Sequence, residues 1–259
     1  MRNGLVSVII PTYNRYSELK NALDSVIVQD YRPIEIIIID DHSNDHTWDI
    51  LHSYDFCDIH FNYAYNISNL WPGITRNIGI QMAKGEYIAL LDSDDIWVLS
   101  NKITEQVSFL ENNSSYWFVS TRWIVADKSL ENGLDIHFFT TDKDFRQKAL
   151  FHYLAHTSTW VFKINIFHKI WGFWLHKTED YEYLLRIATI TQCFSMPIYS
   201  ELHQNNLSWF YQKHILSQWL WWLFICIKYR NHYPGFYTAI FHRLFRGIYK
   251  WFKRFILRL

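Results

Sequence analysis

Three apolar runs in the first hundred residues each stop abruptly at polar punctuation, and this limits the folds open to the chain. Leu5–Ile10 ends at Pro11, Ile34–Ile39 at Asp40-Asp41, and Tyr87–Leu91 at Asp92-Ser93-Asp94-Asp95. Short runs rich in Ile, Val and Leu, without polar alternation, are strands buried on both faces. Segments with helical spacing separate them. One runs from Ser17, a candidate cap, to Val28, with Leu19, Ala22, Leu23, Val26 and Ile27 on one side. A second starts at Ser43 or Asp45 and reaches Leu51, and Ile74–Met82 and Lys102–Leu110 are further helices. Phe61–Tyr65 and Trp117–Val125 read as strands, Asp127–Asp144 as an irregular polar loop, and Tyr181–Ile190 as a helix. This order predicts an α/β fold: a mostly parallel sheet flanked by helices.

The chain contains 13 Trp, and past Trp209 its composition turns aromatic and basic, which sets a soft boundary there. Formal charge is zero overall but segregated. After Glu201 no acidic residue occurs, so the last 47 residues carry nine Lys or Arg. The first 212 carry 16 basic against 25 acidic residues. Such a tail faces a polyanion, either a membrane surface or nucleic acid. Cys57, Cys193 and Cys226 form no metal or disulfide pattern and fit a reducing compartment. The opening apolar run is too short for a signal peptide. No GxxxxGK[ST] loop is present, which argues against ATP-type phosphate cradling. His152 and His156 are four apart without a third ligand nearby in sequence, and read as surface or core residues.

The polar ends of the strands carry the chemistry. In an open α/β sheet, strand ends form the ligand crevice. Pro11-Thr12-Tyr13 leaves the first strand with a ring that can stack on a base, although Pro is also a routine stop signal. Asp40-Asp41 ends the second strand; Ser43, Asn44, Asp45 and Thr47 after it are all cap formers. Gly73-x-x-Arg76-Asn77-x-Gly79 opens a helix, placing Arg76 in its first turn, where it can meet phosphate or pair with the later acidic cluster. Residues two apart on an extended segment face the same way, so Asp92 and Asp94 together can hold a divalent ion. Glu179-Asp180 precedes a helix, where carboxylates also serve as ordinary N-terminal charges.

Ile9–Arg15, Asp40–Thr47, the Gly/Arg/Asn segment and Asp92–Asp95, in that order, closely resemble family 2 glycosyltransferases of the GT-A fold. The likeness is strong over residues 5–110 and weaker at Thr178–Leu185. It implies inverting transfer of a single sugar from a nucleotide-diphospho-sugar. The donor would lie on Pro11, Thr12, Tyr13, Asp40, Asp41, Arg76, Asp92 and Ser93, with Asp41 reading a uracil base. Asp94, with Asp92, would hold Mn²⁺ or Mg²⁺. Asp180 would be the general base and Glu179 its orienting neighbour. The family usually has Gly where His42 and Trp71 stand here.

The acceptor implied by the resemblance and the tail is a lipid-linked oligosaccharide in bacterial surface polysaccharide synthesis. From Phe236 to Leu259, Arg243, Arg246, Lys250, Lys253, Arg254 and Arg258 oppose a Phe/Leu/Ile face, the pattern of a helix lying in a membrane interface. Packing of that helix on its own domain is the plainer alternative. The expected organisation is a catalytic domain over 1–208, with a donor half 1–110 and an acceptor half 111–208, and a helical extension over 209–259. The expected location is the inner face of the cell membrane, with no nucleic-acid partner. A nucleotidyltransferase would need a Gly-rich cationic loop after the first strand, which Pro11–Arg15 is not. A non-catalytic nucleotide-sugar-binding membrane protein would not need Asp92, Asp94 and Asp180 intact.

Overall fold

A computed structural model describes residues 1–126, 138–175, 178–204, 215–242 and 244–245, with the backbone alone at 126, 204 and 215–219. Its centre is an eight-stranded sheet. In chain order the strands are β1 (Arg2–Thr12), β2 (Ile34–Asp40), β3 (His60–Tyr65), β4 (Gly85–Leu90), β5 (Asp95–Trp97), β6 (Tyr116–Ala126), β7 (Val161–Lys163) and β8 (Gln192–Gln204). Their order in space is β3-β2-β1-β4-β7-β6-β8-β5. The first four run parallel, as the buried apolar runs require. β7 is antiparallel to both β4 and β6, and β5 antiparallel to β8.

Alternation along the strands divides the core into two layers. Val6, Val8 and Ile10 of β1, with Ile36 and Ile38 of β2, pack on α1 (Tyr16–Ile27), α2 (Thr47–Ser53) and α4 (Lys102–Asn112). Ile9, Ile37 and Ile39 point the other way, onto α3 (Pro72–Met82) and α7 (Glu179–Ile187). Each fully buried aliphatic side chain contributes about 1.5–3 kcal/mol. The polar interruption Ser7 is accounted for: its hydroxyl donates to Glu35 at 2.5 Å and accepts from Gly85 N–H at 2.9 Å, tying the middle of β1 to the starts of β2 and β4.

Several local expectations need correction. Ser17 does not cap α1; it lies inside the helix and donates to Glu18. α3 starts at Pro72, a good first residue because proline's missing N–H would be unpaired there anyway. Arg76 therefore sits in the second turn, not the first. The irregular loop is shorter than expected, since α5 (Asp142–Lys148) starts inside it, capped by Thr141 accepting from Asp144 N–H at 3.1 Å. Residues 127–137 lie outside the described residues. α6 (Asn165–Ile170) and the strands β5, β7 and β8 carry no strong periodic signal and form through tertiary pairing.

Past the expected boundary, α8 (Ile215–Lys228) packs into the same core as α7. Ile225, Cys226, Tyr229 and Tyr233 are buried with Leu184 and Leu185. Most of the amphipathic stretch expected over Phe236–Leu259 falls outside the described residues, which show helix at 236–242. No helix of the described residues is long and apolar enough to cross a membrane.

Candidate active site

The loops leaving β1 and β2 are stitched together at the C-terminal edge of the sheet. Asp41 N–H donates to the Thr12 carbonyl at 2.8 Å, Asn14 N–H to Ser43 Oγ at 2.9 Å, and Arg15 N–H to Thr47 Oγ1 at 3.0 Å. Asn14 takes a left-handed conformation to make that turn, with φ 51°. Tyr13 remains exposed, whereas Thr12 and Ser93 are buried. Pro11 is still paired within β1. α2 starts at Thr47, later than the expected Ser43 or Asp45, and its N-cap His46 makes no side-chain cap bond; Asp45 instead accepts from Thr47 N–H at 2.9 Å, while Asp40 and Asp41 have other partners.

Asp41 is buried, and its Oδ1 accepts from Asn66 Nδ2 and from Leu70 N–H, both at 2.8 Å. These bonds fix it between β2 and the segment leading to α3. Asp40 accepts from Ser43 N–H at 2.8 Å through one oxygen, while its second oxygen is buried without a hydrogen-bond partner. Burial pushes the Asp40 carboxyl above the usual range against those Ser43 bonds.

The centre of the site is Arg76, which is buried and joins two carboxylates from distant parts of the chain. Its Nη2 donates to both oxygens of Asp92, at 2.6 and 2.8 Å, and its Nη1 donates to Glu179 at 3.3 Å. Burial opposes the guanidinium charge, but Asp92 and Glu179 more than offset it and raise the pKa. Thr157 donates to Asp92 Oδ2 at 3.0 Å, and Asp92 N–H donates to Ser158 Oγ at 2.9 Å. Gly73 makes room for this arrangement. A Cβ there would lie 2.7 Å from Cγ of Glu179, so its lack of a side chain serves the packing of α7 on α3.

Glu179 and Asp180 form the first turn of α7, which starts two residues earlier and ends three earlier than the Tyr181–Ile190 helix expected from sequence. Burial first, and the adjacent Asp180 second, push the Glu179 carboxyl up to about 7. Asp180 accepts from Tyr181 N–H at 2.7 Å.

The acidic cluster after β4 is not extended, as alternation requires, but turned: Asp95 N–H donates to the Asp92 carbonyl at 3.0 Å. Its carboxylates consequently diverge. Asp92 meets Arg76, whereas Asp94 pairs with Arg15 Nη2 at 3.2 Å. Burial and the charges of Asp95 and Asp92 raise the Asp94 carboxyl despite Arg15 and His203.

Asp95 turns inward to a group that sequence spacing did not indicate. Ligand atoms of Asp95, His156, Glu201 and His203 all lie within 4.8 Å of one another. Pairing of β5 with β8 sets Asp95 beside His203, and His203 Nδ1 lies 2.8 Å from Asp95 Oδ1. Ser158 donates to the other oxygen at 2.5 Å. His156 Nδ1 comes within 2.9 Å of Glu201 Oε1 but without hydrogen-bond alignment, so both Glu201 oxygens are buried and unpartnered. Although burial opposes its charge, Glu201 and Asp95 raise His156 to about 10. His156 is thus neither a surface residue nor an inert core one. The four residues come from β5, the segment before the 3₁₀ turn at Thr157–Thr159, and β8, so their proximity has no local signature.

Comparison with known proteins identifies the family and the fold. The profile described as "Glycosyl transferase family 2" matches residues 7–173. An Escherichia coli protein named UDP-Glc:alpha-D-GlcNAc-diphosphoundecaprenol beta-1,3-glucosyltransferase WfaP is 40% identical over 127 residues, 48% of either chain. The putative teichuronic acid biosynthesis glycosyltransferase TuaG of Bacillus subtilis is 38% identical over 110 residues, 42% of this chain and 43% of its own. The matches thus span about half the length of these curated relatives. Among solved structures, S. aureus TarS 1-349 superposes with a TM-score of 0.71 at 18% identity, over 93% of this chain and 72% of that one. The mannosyltransferase PcManGT from Pyrobaculum calidifontis, solved with GDP-Man and Mn2+, gives 0.66 at 18% identity over 92% and 68%. At such identities the likeness is one of fold, and the fold is GT-A. With the profile covering well over half of its length and the strand-end motifs in place, this chain belongs to glycosyl transferase family 2.

Proposed function

We propose that the protein is an inverting glycosyltransferase that moves one sugar from a UDP-linked donor to a hydroxyl of a lipid-linked acceptor in bacterial surface polysaccharide synthesis, at the inner face of the membrane. The observation that carries this reading is the Asp92–Arg76–Glu179 bridge. It couples the end of a donor-side strand to the helix that presents Asp180. The names of WfaP and TuaG, and the capture of UDP-GlcNAc by the structural neighbour TarS, support the donor and acceptor classes.

In this reading Tyr13 stacks on the base, and Asp41, held by Asn66 and Leu70, accepts from its imide N–H. Pro11 and Thr12 shape the approach, and Asp40, Ser93 and Asp92 lie beside the ribose and donor sugar. Arg76 exchanges part of its pairing with Asp92 for the diphosphate. Asp180 takes the proton of the acceptor hydroxyl. That oxygen then bonds to the anomeric carbon while the bond to the diphosphate breaks, releasing the nucleoside diphosphate with inversion. Glu179, tied to Arg76, orients this end of α7.

The residues present fit a divalent cation. Asp94 carries a carboxyl raised by burial and by its two acidic neighbours, a surplus of negative charge that a cation relieves. Asp94 would hold it through hard oxygen donors suited to Mg²⁺ or Mn²⁺, joined by Asp92 as Arg76 gives up part of its pairing to the diphosphate. Such an ion, when bound, neutralises the leaving diphosphate.

A thermal-shift panel of nucleotide-sugars with and without Mn²⁺ tests the assignment. UDP-sugars are expected to raise Tm only with the ion, and Asp94→Ala to lose that shift while melting as a folded protein. An equal shift in excess EDTA overturns the metal role, and a response to GDP-sugars alone overturns the base assignment.

A further inference from the structure

The outer face of α8 is apolar and exposed. Helical geometry places Leu220, Phe224 and Ile227 on one side, and their exposures are 53, 49 and 44%. The opposite side is the buried one: Ile225, Cys226 and Tyr229 lie in the core, with Trp222 packed against it. A helix of this kind has already used one face to hold itself on the domain, so the second face is available for something else. Farther on, Tyr237, Phe241 and Phe245 repeat the pattern at helical spacing, 82, 73 and 68% exposed. Exposed apolar area on this scale marks an interaction surface.

We propose that this ridge of α8 is the seat of the enzyme on an anionic lipid bilayer. Charge selects the occupant. Every ionisable Lys or Arg after Glu201 stands in a stretch with no acid, whereas the first 212 residues carry nine more acidic than basic side chains. An anionic surface therefore attracts this stretch of the chain and repels the rest of it. Composition agrees, because Trp and Phe beside Leu and Ile are the residues that settle at a headgroup boundary. The described helix has 14 residues, about 21 Å at 1.5 Å per residue, less than the ~30 Å hydrocarbon core. It lies along the interface.

The placement has a consequence for the reaction, and here the inference rests on the lipid-linked acceptor proposed above. The inner face of α8 is fastened to α7 next to the candidate base. The Trp222 ring stands 3.8 Å from that of Tyr181, the residue after Asp180. Lys228 Nζ and Tyr229 Oη reach Glu182 at 2.7 and 2.6 Å. With its outer face in the headgroups, α8 holds the start of α7 about one helix diameter, ~10 Å, from the lipid surface. That suits an acceptor sugar standing on a membrane-embedded diphosphate.

The test uses the full chain and vesicles of phosphatidylcholine with one quarter phosphatidylglycerol, without donor or acceptor, so that it stands apart from the activity itself. Sedimentation with these vesicles is expected, weakening with added salt. The triple variant Leu220→Glu, Phe224→Glu, Ile227→Glu is expected to lower partitioning roughly tenfold or more, since each change removes an apolar anchor and adds a repelled charge. A milder Phe224→Ser variant, at an exposed position, keeps the test valid if the triple variant does not fold, and is expected to give a smaller loss. An environment-sensitive dye on Phe224→Cys, with the exposed Cys57 changed to Ser, should shift to the blue on vesicles, while the same dye on Tyr63→Cys of β3 should not. Vesicle binding unchanged in the ridge variants overturns the proposal, as does an unshifted dye at position 224. Self-association abolished by the ridge variants, without vesicle binding by the native chain, overturns it in favour of a second copy as the occupant.

Discussion

Two acidic groups stand side by side at the strand ends, separated by a single turn, and they are held in opposite ways. In the first, Asp92 and Glu179 share the guanidinium of Arg76, with side-chain exposures of 20 and 14%. In the second, Asp95 and Glu201 are fully buried and face the imidazoles of His156 and His203, with both Glu201 oxygens unpartnered. The first group has good hydrogen-bond geometry and a partial opening to solvent, so a ligand phosphate can compete for the same cation. In the second the carboxylates are sealed beneath imidazoles that stay 15 and 16% exposed, and the charges are balanced without being fully hydrogen-bonded. Adjacent carboxylates of one sequence cluster thus divide between a contact that can be exchanged and a fixed support beneath it.

The largest expected effect tests the exchangeable side. Asp180→Asn should lower transfer by about two orders of magnitude or more, the usual scale for a general base, while donor affinity by thermal shift or calorimetry stays within a few-fold. Lost donor affinity with proportionate loss of turnover would instead make Asp180 a binding residue. The product from an α-linked donor should be β-linked by NMR, and an α product rules out single displacement.

An intermediate effect separates the two groups by stability. Arg76→Met leaves Asp92 and Glu179 without their cation. Breaking such a pair costs about 3–5 kcal/mol when fully buried, and partial exposure reduces this to about 2–4 kcal/mol. Glu179→Gln keeps the Arg76–Asp92 contact and should cost clearly less. Chemical denaturation of both variants checks the ranking, and equal losses would mean that Asp92 is not the dominant partner.

The smallest effect belongs to the buried support. His156 is raised from 6.5 to about 10, so the stabilisation from its charge is complete below 6.5 and lost as pH climbs through about 10. Glu201 adds the same sign over a lower range: burial raises its carboxyl from 4.5 to about 7, and the folded state loses preferred protons as pH rises. Asp95 is lowered, because His156 and His203 outweigh burial, and matters only at acid pH. In EDTA, Tm should therefore fall from pH 6.5 toward 10, with a shallower slope in His156→Asn. An unchanged slope would place the titration elsewhere.

The comparison also explains what could be read early. The donor-side strands were legible because burial on both faces forces continuous apolar runs, and Ile34–Ile39 admits no other assignment at that length. Arg76, Asp92 and Glu179 were each visible as candidates, and the pairing of Arg76 with the Asp92 cluster was one of the open options. Its reach to Glu179, 103 residues on, was not visible. α8 was legible only as part of the aromatic helical extension expected over 209–259. Which of its faces is buried was not, because both faces are apolar and periodicity cannot rank two hydrophobic sides.

The sequence by itself determined the parallel α/β frame, the strand-end acidic motifs in order, and the charge segregation of the C-terminal segment. These depend on local composition and short spacing, which tertiary contacts do not rewrite. Tertiary structure alone decided that the Asp92–Asp95 segment turns, sending Asp92 to Arg76, Asp94 to Arg15 and Asp95 into the interior. It also decided that His156, Glu201 and His203 meet there. Side-chain partners across a sheet are set by strand register, and register between β5 and β8 is fixed by packing among segments more than a hundred residues apart.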